Sequence, residues 1–402
     1  MLTEICDNGA WCWFQDDRAM LIDDQLVVAS INDRGTVHVS TSDMNSGETT
    51  HAALRENFGV DDHNVPGLLL RADGHLMAFY CPHSGHAPMY HRTSTRARDA
   101  RQWGPEQVYT GGLEPSFTYA NPFQLAAEGG RIYNFWRGRH RNPTYTCSDD
   151  LGGTWAEARN FIYFREMQRP YVKYASNGRD TIHFAFTEAH PNDTDLSTSL
   201  YHAFYRNGQL HRSDGVAVGA MPGTAIAPEQ ATRIYQGTGN PLGKAWVWDM
   251  ALDADENPVI VYNTCLGPDD HRYRYARFDA ASGRWSDRQI AFAGRCLYDR
   301  EVYYSGGIAV DPDDPAVVYL SSNVDIRDGS ANASGRYELY KGRTGDGGEH
   351  WTWQPITVDS TEDNLRPVVP ADHGGGTFVL WMQGEYPSYT EYRTRIMLKV
   401  DR

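Results

Sequence analysis

His63 and His83 are the residues whose types and spacing first suggest chemistry. Imidazole titrates near neutrality, so two of them beside the carboxylates Asp61 and Asp62 are candidate acid, base or metal-binding groups. Residues 67–78 between them read as strand, Asp73-Gly74 turn, strand, and a hairpin returns its two ends to one place. One His taken alone is more often a hydrogen-bonded loop residue. The pair gains weight from matched positions later in the chain. Tyr119, Arg169, Trp246, Tyr304 and Arg366 stand before or at the start of the first strand of successive units, and Arg137, His190 and Gln383 at the end of the second.

These residue types suit one reaction well. Guanidinium groups grip a carboxylate or sulfate in a bidentate fork. Once a carboxylate is neutralised, the proton on the adjacent carbon is acidic enough for His or tyrosinate to remove, and a phenol can protonate the departing oxygen. That sequence is β-elimination from a uronic acid. Hydrolysis would call for two carboxyl groups at a set separation. Asp61, Asp62, Glu188 and Asp249 could supply them, but no two occupy equivalent register, and Asp61 and Asp62 read as orienting an imidazole or capping a turn.

The elements that must position these groups recur along the chain. Strand, polar turn, strand repeats through residues 25–41, 63–103, 119–155, 169–215, 246–285, 304–351 and from 366 onward, a spacing of roughly 50 residues typical of radial repetition. The expected fold is all-β, a seven-bladed β-propeller forming one domain over residues 1–402, with the first residues completing the last blade. Residues 221–243 read as a long connection between blades. Inner-strand entry loops of a propeller gather at one mouth, so register becomes proximity. Ser148-Asp149-Asp150-Leu151-Gly152-Gly153-Thr154-Trp155 matches the Asp-box pattern S-x-D-x-G-x-T-W, and residues 344–351 match it with His350 in the Thr place. Asp150 and Asp346 therefore cap turns and are not catalytic candidates.

Bulk properties narrow the function classes. A net charge of -15 argues against a nucleic-acid partner, whose phosphates reward a basic face, while a local Arg cluster can still receive an anion. Cys6, Cys12, Cys81, Cys147, Cys265 and Cys296 form no CxxC pair and are expected to be free thiols. No apolar run reaches membrane-spanning length. No leader pattern follows Met1, so a cytoplasmic location is expected for the sequence as it stands, and a secreted or periplasmic one where a leader has been removed.

The chain resembles the BNR-4 type propellers, which include the ulvan lyases. The resemblance rests on residues 12–19 (CWFQDDRA), 61–64 (DDHN), 118–122 (TYANP) with 134–138 (NFWRG), 169–174 (RPYVKY) with 186–191 (FTEAHP), 304–307 (YSGG) and 363–367 (DNLRP). It implies a lyase cleaving a rhamnose-uronate glycan to a 4,5-unsaturated uronate. His63, His83, Tyr119 and Arg137 would be catalytic, with His63 as base, and Arg169, Tyr171, His190, Trp246, Tyr304 and Arg366 would bind substrate. The register between Tyr119 and Arg137 is loose, so Tyr133 or Tyr171 could hold the phenol role. A glycoside hydrolase removing terminal rhamnose from glucuronate on the same scaffold is the alternative reading, and a non-catalytic acidic-glycan-binding propeller is a third. The implied partner is an acidic oligo- or polysaccharide, without nucleic acid or membrane, on a monomer. The chemistry needs no cofactor. A structural calcium or zinc ion is left open, with no ligands assigned.

Overall fold

The computed structural model describes residues 2–83, 88–111, 116–166, 168–192 and 198–401. Short strands broken by Gly and Asx turns cannot bury both faces alone, and here they form seven antiparallel sheets set as the blades of a propeller. The innermost strands are Ala19–Ile22, Gly67–Leu70, Asn121–Leu125, Tyr171–Ser176, Lys244–Leu252, Ile308–Val310 and Asp363–Val368. Second strands run through the core; Leu76–Tyr80 and Thr181–Thr187 are buried at every position. Leu2–Cys6 pairs with Glu391–Asp401, placing Leu2 opposite Lys399, so the N-terminal strand closes the last blade as expected. No helix of the described residues is long and apolar enough to cross a membrane.

Residues 221–243 depart from the sequence reading. They contain the strand Thr232–Tyr235, which pairs with Leu200–Arg206 as the outer strand of the fourth blade. A hairpin of Gln209–Arg212 and Ala217–Ala220 also joins Leu200–Arg206 through Gln209–Arg212, which pushes the outer strand later in the sequence. The two Asp boxes close their turns by the same bonds. Asp150 Oδ1 accepts from the Thr154 amide at 2.8 Å and Asp346 Oδ1 from the His350 amide at 2.9 Å, while the His350 ring meets Asp346 Oδ2 at 2.7 Å. All six cysteines are free, and five are buried.

Inner strands converging on an axis leave a hole, and residues 10–18 fill it. Trp13 is 2% exposed and stacks on Trp248 at 4.0 Å, with Trp246 and Tyr304 edge-on at 5.0 Å each. The plug is tied to several blades at once. Trp13 Nε1 donates to Val247 O at 3.1 Å, Asn121 Nδ2 to Phe14 O at 3.0 Å, Lys173 Nζ to Trp13 O at 2.7 Å and Trp11 Nε1 to Arg366 O at 3.0 Å. Burying an indole of this size is worth roughly 4–6 kcal/mol at about 25 cal/mol per Å². Trp13→Ala should lower the unfolding free energy by about 3–5 kcal/mol in urea denaturation. Val358→Ala, at a side chain 66% exposed, should change it by less than about 0.5 kcal/mol.

Candidate active site

The entry ends of the innermost strands carry a closed circuit of aromatic and charged side chains. His63 stacks on His83 with ring centroids 3.9 Å apart and planes 8° from parallel. Its ring lies 5.6 Å from that of Tyr119; the Arg137 guanidinium sits 5.1 Å over Tyr119 and 5.3 Å over Tyr171. Arg137 donates to the Tyr171 hydroxyl at 2.7 Å, Tyr171 meets His190 at 5.3 Å, and His190 meets Trp246 at 4.7 Å. Trp246 contacts Tyr304 at 5.3 Å, and the Tyr304 hydroxyl returns to His63 Nε2 at 3.5 Å. Residues from five different blades and linkers thus face one opening.

Local backbone explains the placement. Asn121 pairs with Phe135, yet Thr118 and Arg137 exchange two main-chain bonds, so Tyr119 and Ala120 lie opposite Trp136 alone. This is a β-bulge, and Tyr119 carries its left-handed φ of 68°. The bulge accounts for the loose register between Tyr119 and Arg137 and turns the phenol toward the imidazoles. Tyr133 is elsewhere, its hydroxyl bonded to Glu128 at 2.7 Å and Tyr205 at 2.9 Å, and so takes no part in the site.

Asp61 and Asp62 set the protonation of the histidines. Asp61 caps a 3-10 turn by accepting the His63 amide at 3.0 Å; its two oxygens then take Nδ1 of His63 at 2.6 Å and Nδ1 of His83 at 2.9 Å. Asp62 Oδ1 lies 2.8 Å from the same His63 nitrogen without a well-directed hydrogen bond, because that N–H points at Asp61. Burial opposes charge on His63, but facing groups, Cys12 and Tyr119 where ionised and the two carboxylates, outweigh it and hold its pKa well above 6.5. His83 goes the other way, to about 4, through burial and then the His63 cation. Stacked imidazoles this close hold one charge between them, and it resides on the inner ring. Burial, then neighbouring Tyr171, keeps the Tyr119 phenol protonated.

Two residues expected to bind substrate are enclosed. Arg366 has a fully buried side chain that ion-pairs with Asp62 and bonds Trp11 O at 2.6 Å and Tyr386 at 2.7 Å. It lies at a register shift of its strand with φ 51°, which swings its guanidinium inward, and Gly307 allows the close pass, since a Cβ there would meet Arg366 Cα at 3.0 Å. Trp246 is 1% exposed and forms the floor of the site. Arg169 remains half-buried at the mouth, donating to Asn192 Oδ1 at 3.2 Å.

Other residues of the mouth gave no signal in the sequence. Tyr389 stands edge-on to His63 at 5.0 Å and to His83 at 5.6 Å. Burial, then Arg137 and Arg169, depresses Arg141, which makes it a third guanidinium at this rim. Glu301, in the loop between the fifth and sixth blades, has Oε2 3.8 Å from His190 Nε2. Each lies in a loop, where no periodicity marks it.

Asp61, His63 and His83 are close enough together to suggest a metal site, as are Cys12, Asp62 and His63. In this structure Asp61 takes Nδ1 of both imidazoles, and one Asp62 oxygen is held by Arg366. A cavity of about 760 Å³ lies at the exit ends of the same strands, lined in part by Asp16, Asp17, Arg18 and Asp249. The buried Lys173 is bonded to Asp16 and Trp13 O and serves the plug.

The BNR repeat-containing family model matches residues 25–293. The chain belongs to this family. No curated protein matches the sequence. Among solved structures, a PL25 ulvan lyase bound to -[GlcA(1-4)Rha3S]- superposes on this BNR repeat protein with a TM-score of 0.74 at 16% identity, covering 98% of this chain and 95% of that one. The same figures hold for a second structure of a PL25 ulvan lyase. The β-propeller domain of the Trilobed protease from Pyrococcus furiosus gives a TM-score of 0.48 at 8% identity, over 98% of this chain and 95% of that one. The likeness to the two ulvan lyase structures establishes the propeller fold.

Breaking the Asp62–Arg366 pair from one side should leave a charge stranded in the core. Arg366→Met is expected to cost about 3–5 kcal/mol in urea unfolding, and adding Asp62→Asn should recover part of it. Purely additive losses would contradict the assignment of Arg366 to the core.

Proposed function

We propose that this BNR repeat protein is a polysaccharide or oligosaccharide lyase that cleaves a rhamnose-uronate glycan by β-elimination. The observation that carries the reading is the composition of one rim: a guanidinium, a protonated phenol, and a neutral imidazole whose Nε2 has no partner among the described residues. The carboxylates touching them, Asp61 and Asp62, are occupied by His63, His83, Arg366 and Tyr386, which disfavours a two-carboxyl hydrolase. Likeness of fold to an ulvan lyase supports the same reading.

In this mechanism Arg137 receives the uronate carboxylate and stabilises the charge that builds on it as the C5 proton leaves. The imidazole on hand for that proton is His83. Its Nδ1–H is anchored on Asp61, which leaves Nε2 as the acceptor, and the arriving carboxylate raises its basicity. His63, expected from the sequence to be the base, has both ring nitrogens turned to protein groups and already carries a proton. Its cation instead stabilises negative charge developing nearby. The electron pair from C5–H forms the C4–C5 double bond, the C4–O bond breaks, and Tyr119 protonates the departing oxygen. Solvent then returns a proton to Tyr119 and removes one from His83. The products are a 4,5-unsaturated uronate and a free hydroxyl.

Incubation with rhamnose-glucuronate oligosaccharides or ulvan should raise the ultraviolet absorbance of a conjugated uronate. Arg137→Ala and His83→Ala should each lower kcat/KM by about a hundredfold or more. Reducing sugar released without that absorbance would replace the lyase with a hydrolase. The pH profile supplies a second check. His83 is depressed to about 4, so it is neutral and competent above that pH, and kcat/KM should fall only as pH drops through about 4. An acid limb at 6.5 or above would count against His83 as the base.

A further inference from the structure

Glu301 is a carboxyl group at the mouth that the proposed elimination does not use. Its Oε2 is buried and accepts no hydrogen bond among the described residues. The facing donor, His190 Nε2, is 3.8 Å away, too far for a direct bond. His190 Nδ1 accepts the Asn192 amide at 3.1 Å, which places the ring proton on Nε2. Burial, then Arg169 and Arg137, keeps this imidazole neutral, so no ion pair closes the gap. An N–H donor and a carboxylate acceptor held just beyond reach of each other are bridged by a group that accepts from one and donates to the other. A sugar hydroxyl does both.

We infer that Glu301 and His190 recognise a free hydroxyl on the sugar adjoining the uronate, and that the pair selects an unsulfated glycan over one sulfated at that hydroxyl. The inference rests on the lyase reading for which sugar lies beside them. A sulfate ester has no proton to give Glu301, and it brings a negative charge against a carboxylate, which discriminates by repulsion as well as by a lost bond. Burial, opposed by Arg169 and then His63, raises the pKa of Glu301, and Arg169 would attract that sulfate once the carboxylate charge is removed.

The test uses matched rhamnose-glucuronate oligosaccharides, sulfated as obtained from ulvan and chemically desulfated. The wild-type protein should show kcat/KM at least tenfold higher on the desulfated form. Glu301→Gln should shrink that ratio by tenfold or more, chiefly through a gain on the sulfated form, and Glu301→Asp should keep the wild-type preference. A wild-type preference for the sulfated form, or a ratio unchanged in Glu301→Gln, overturns the inference. Affinities for both glycans, measured by calorimetry in His83→Ala with and without Glu301→Gln, give the same ratio without turnover. Absence of unsaturated product from either glycan would remove the lyase reading, while the affinity ratio would still decide on Glu301.

Discussion

A carboxylate with no exposure to solvent governs the mouth of this propeller. Burying an isolated carboxylate costs several kcal/mol, and the fold retains Asp62 by surrounding it. Arg366 and Tyr386 from the seventh blade bond to one of its oxygens, and the other lies 2.8 Å from His63. Asp62 O also accepts the Cys12 amide of the plug at 3.1 Å. One residue therefore joins the linker between the first two blades to the last blade through its carboxylate and to the axis through its main-chain carbonyl. The position of His63, and through Asp61 that of His83, follows from that arrangement.

The plug divides the axis into two chemically different ends. At the entry ends the carboxylates are neutralised by imidazolium and guanidinium, leaving cationic groups toward solvent. At the exit ends Lys173 is buried against Asp16, and Asp17, open to the cavity but hemmed in by desolvation and then Asp16, has its pKa raised to about 7. The same converging strands thus present an anion-receiving mouth and an acidic cavity, separated by Trp13 and Phe14. A strand of six residues spans roughly 20 Å, so the two ends do not share a ligand the size of one sugar.

Much of the fold was legible because each blade repeats the same local chemistry. Asp73-Gly74 and Asn177-Gly178 mark hairpins whose positive-φ glycines the structure retains, at 85° and 65°. The convergence of His63, Tyr119, Arg137 and His190 was legible for the same reason, since equal blades turn register into position, whereas Tyr171 came only from the family resemblance. What escaped the reading were local departures from regularity. The bulge at Tyr119 aims a phenol into the site, whereas the register shift at Arg366 withdraws a guanidinium from it, and nothing in either residue type tells the two apart. Residues 11–14 gave no sign of a plug, because a plug has no period of its own. The state of His63 was likewise hidden, because it depends on two carboxylates meeting one nitrogen.

The acidity of the whole chain is consistent with an anionic substrate once distance is considered. Charges beyond about 8 Å are largely screened at physiological ionic strength. A net charge of -15 spread over the surface therefore weighs little inside the mouth compared with His63, Arg137, Arg141 and Arg169. These cations act over a few ångströms from a floor of buried aromatics, where fields are weakly screened. An anionic polymer would be repelled by most of the protein and admitted at one place. On the proposed lyase reading, selectivity for the uronate would arise from where the carboxylates are occupied, and not from the overall charge.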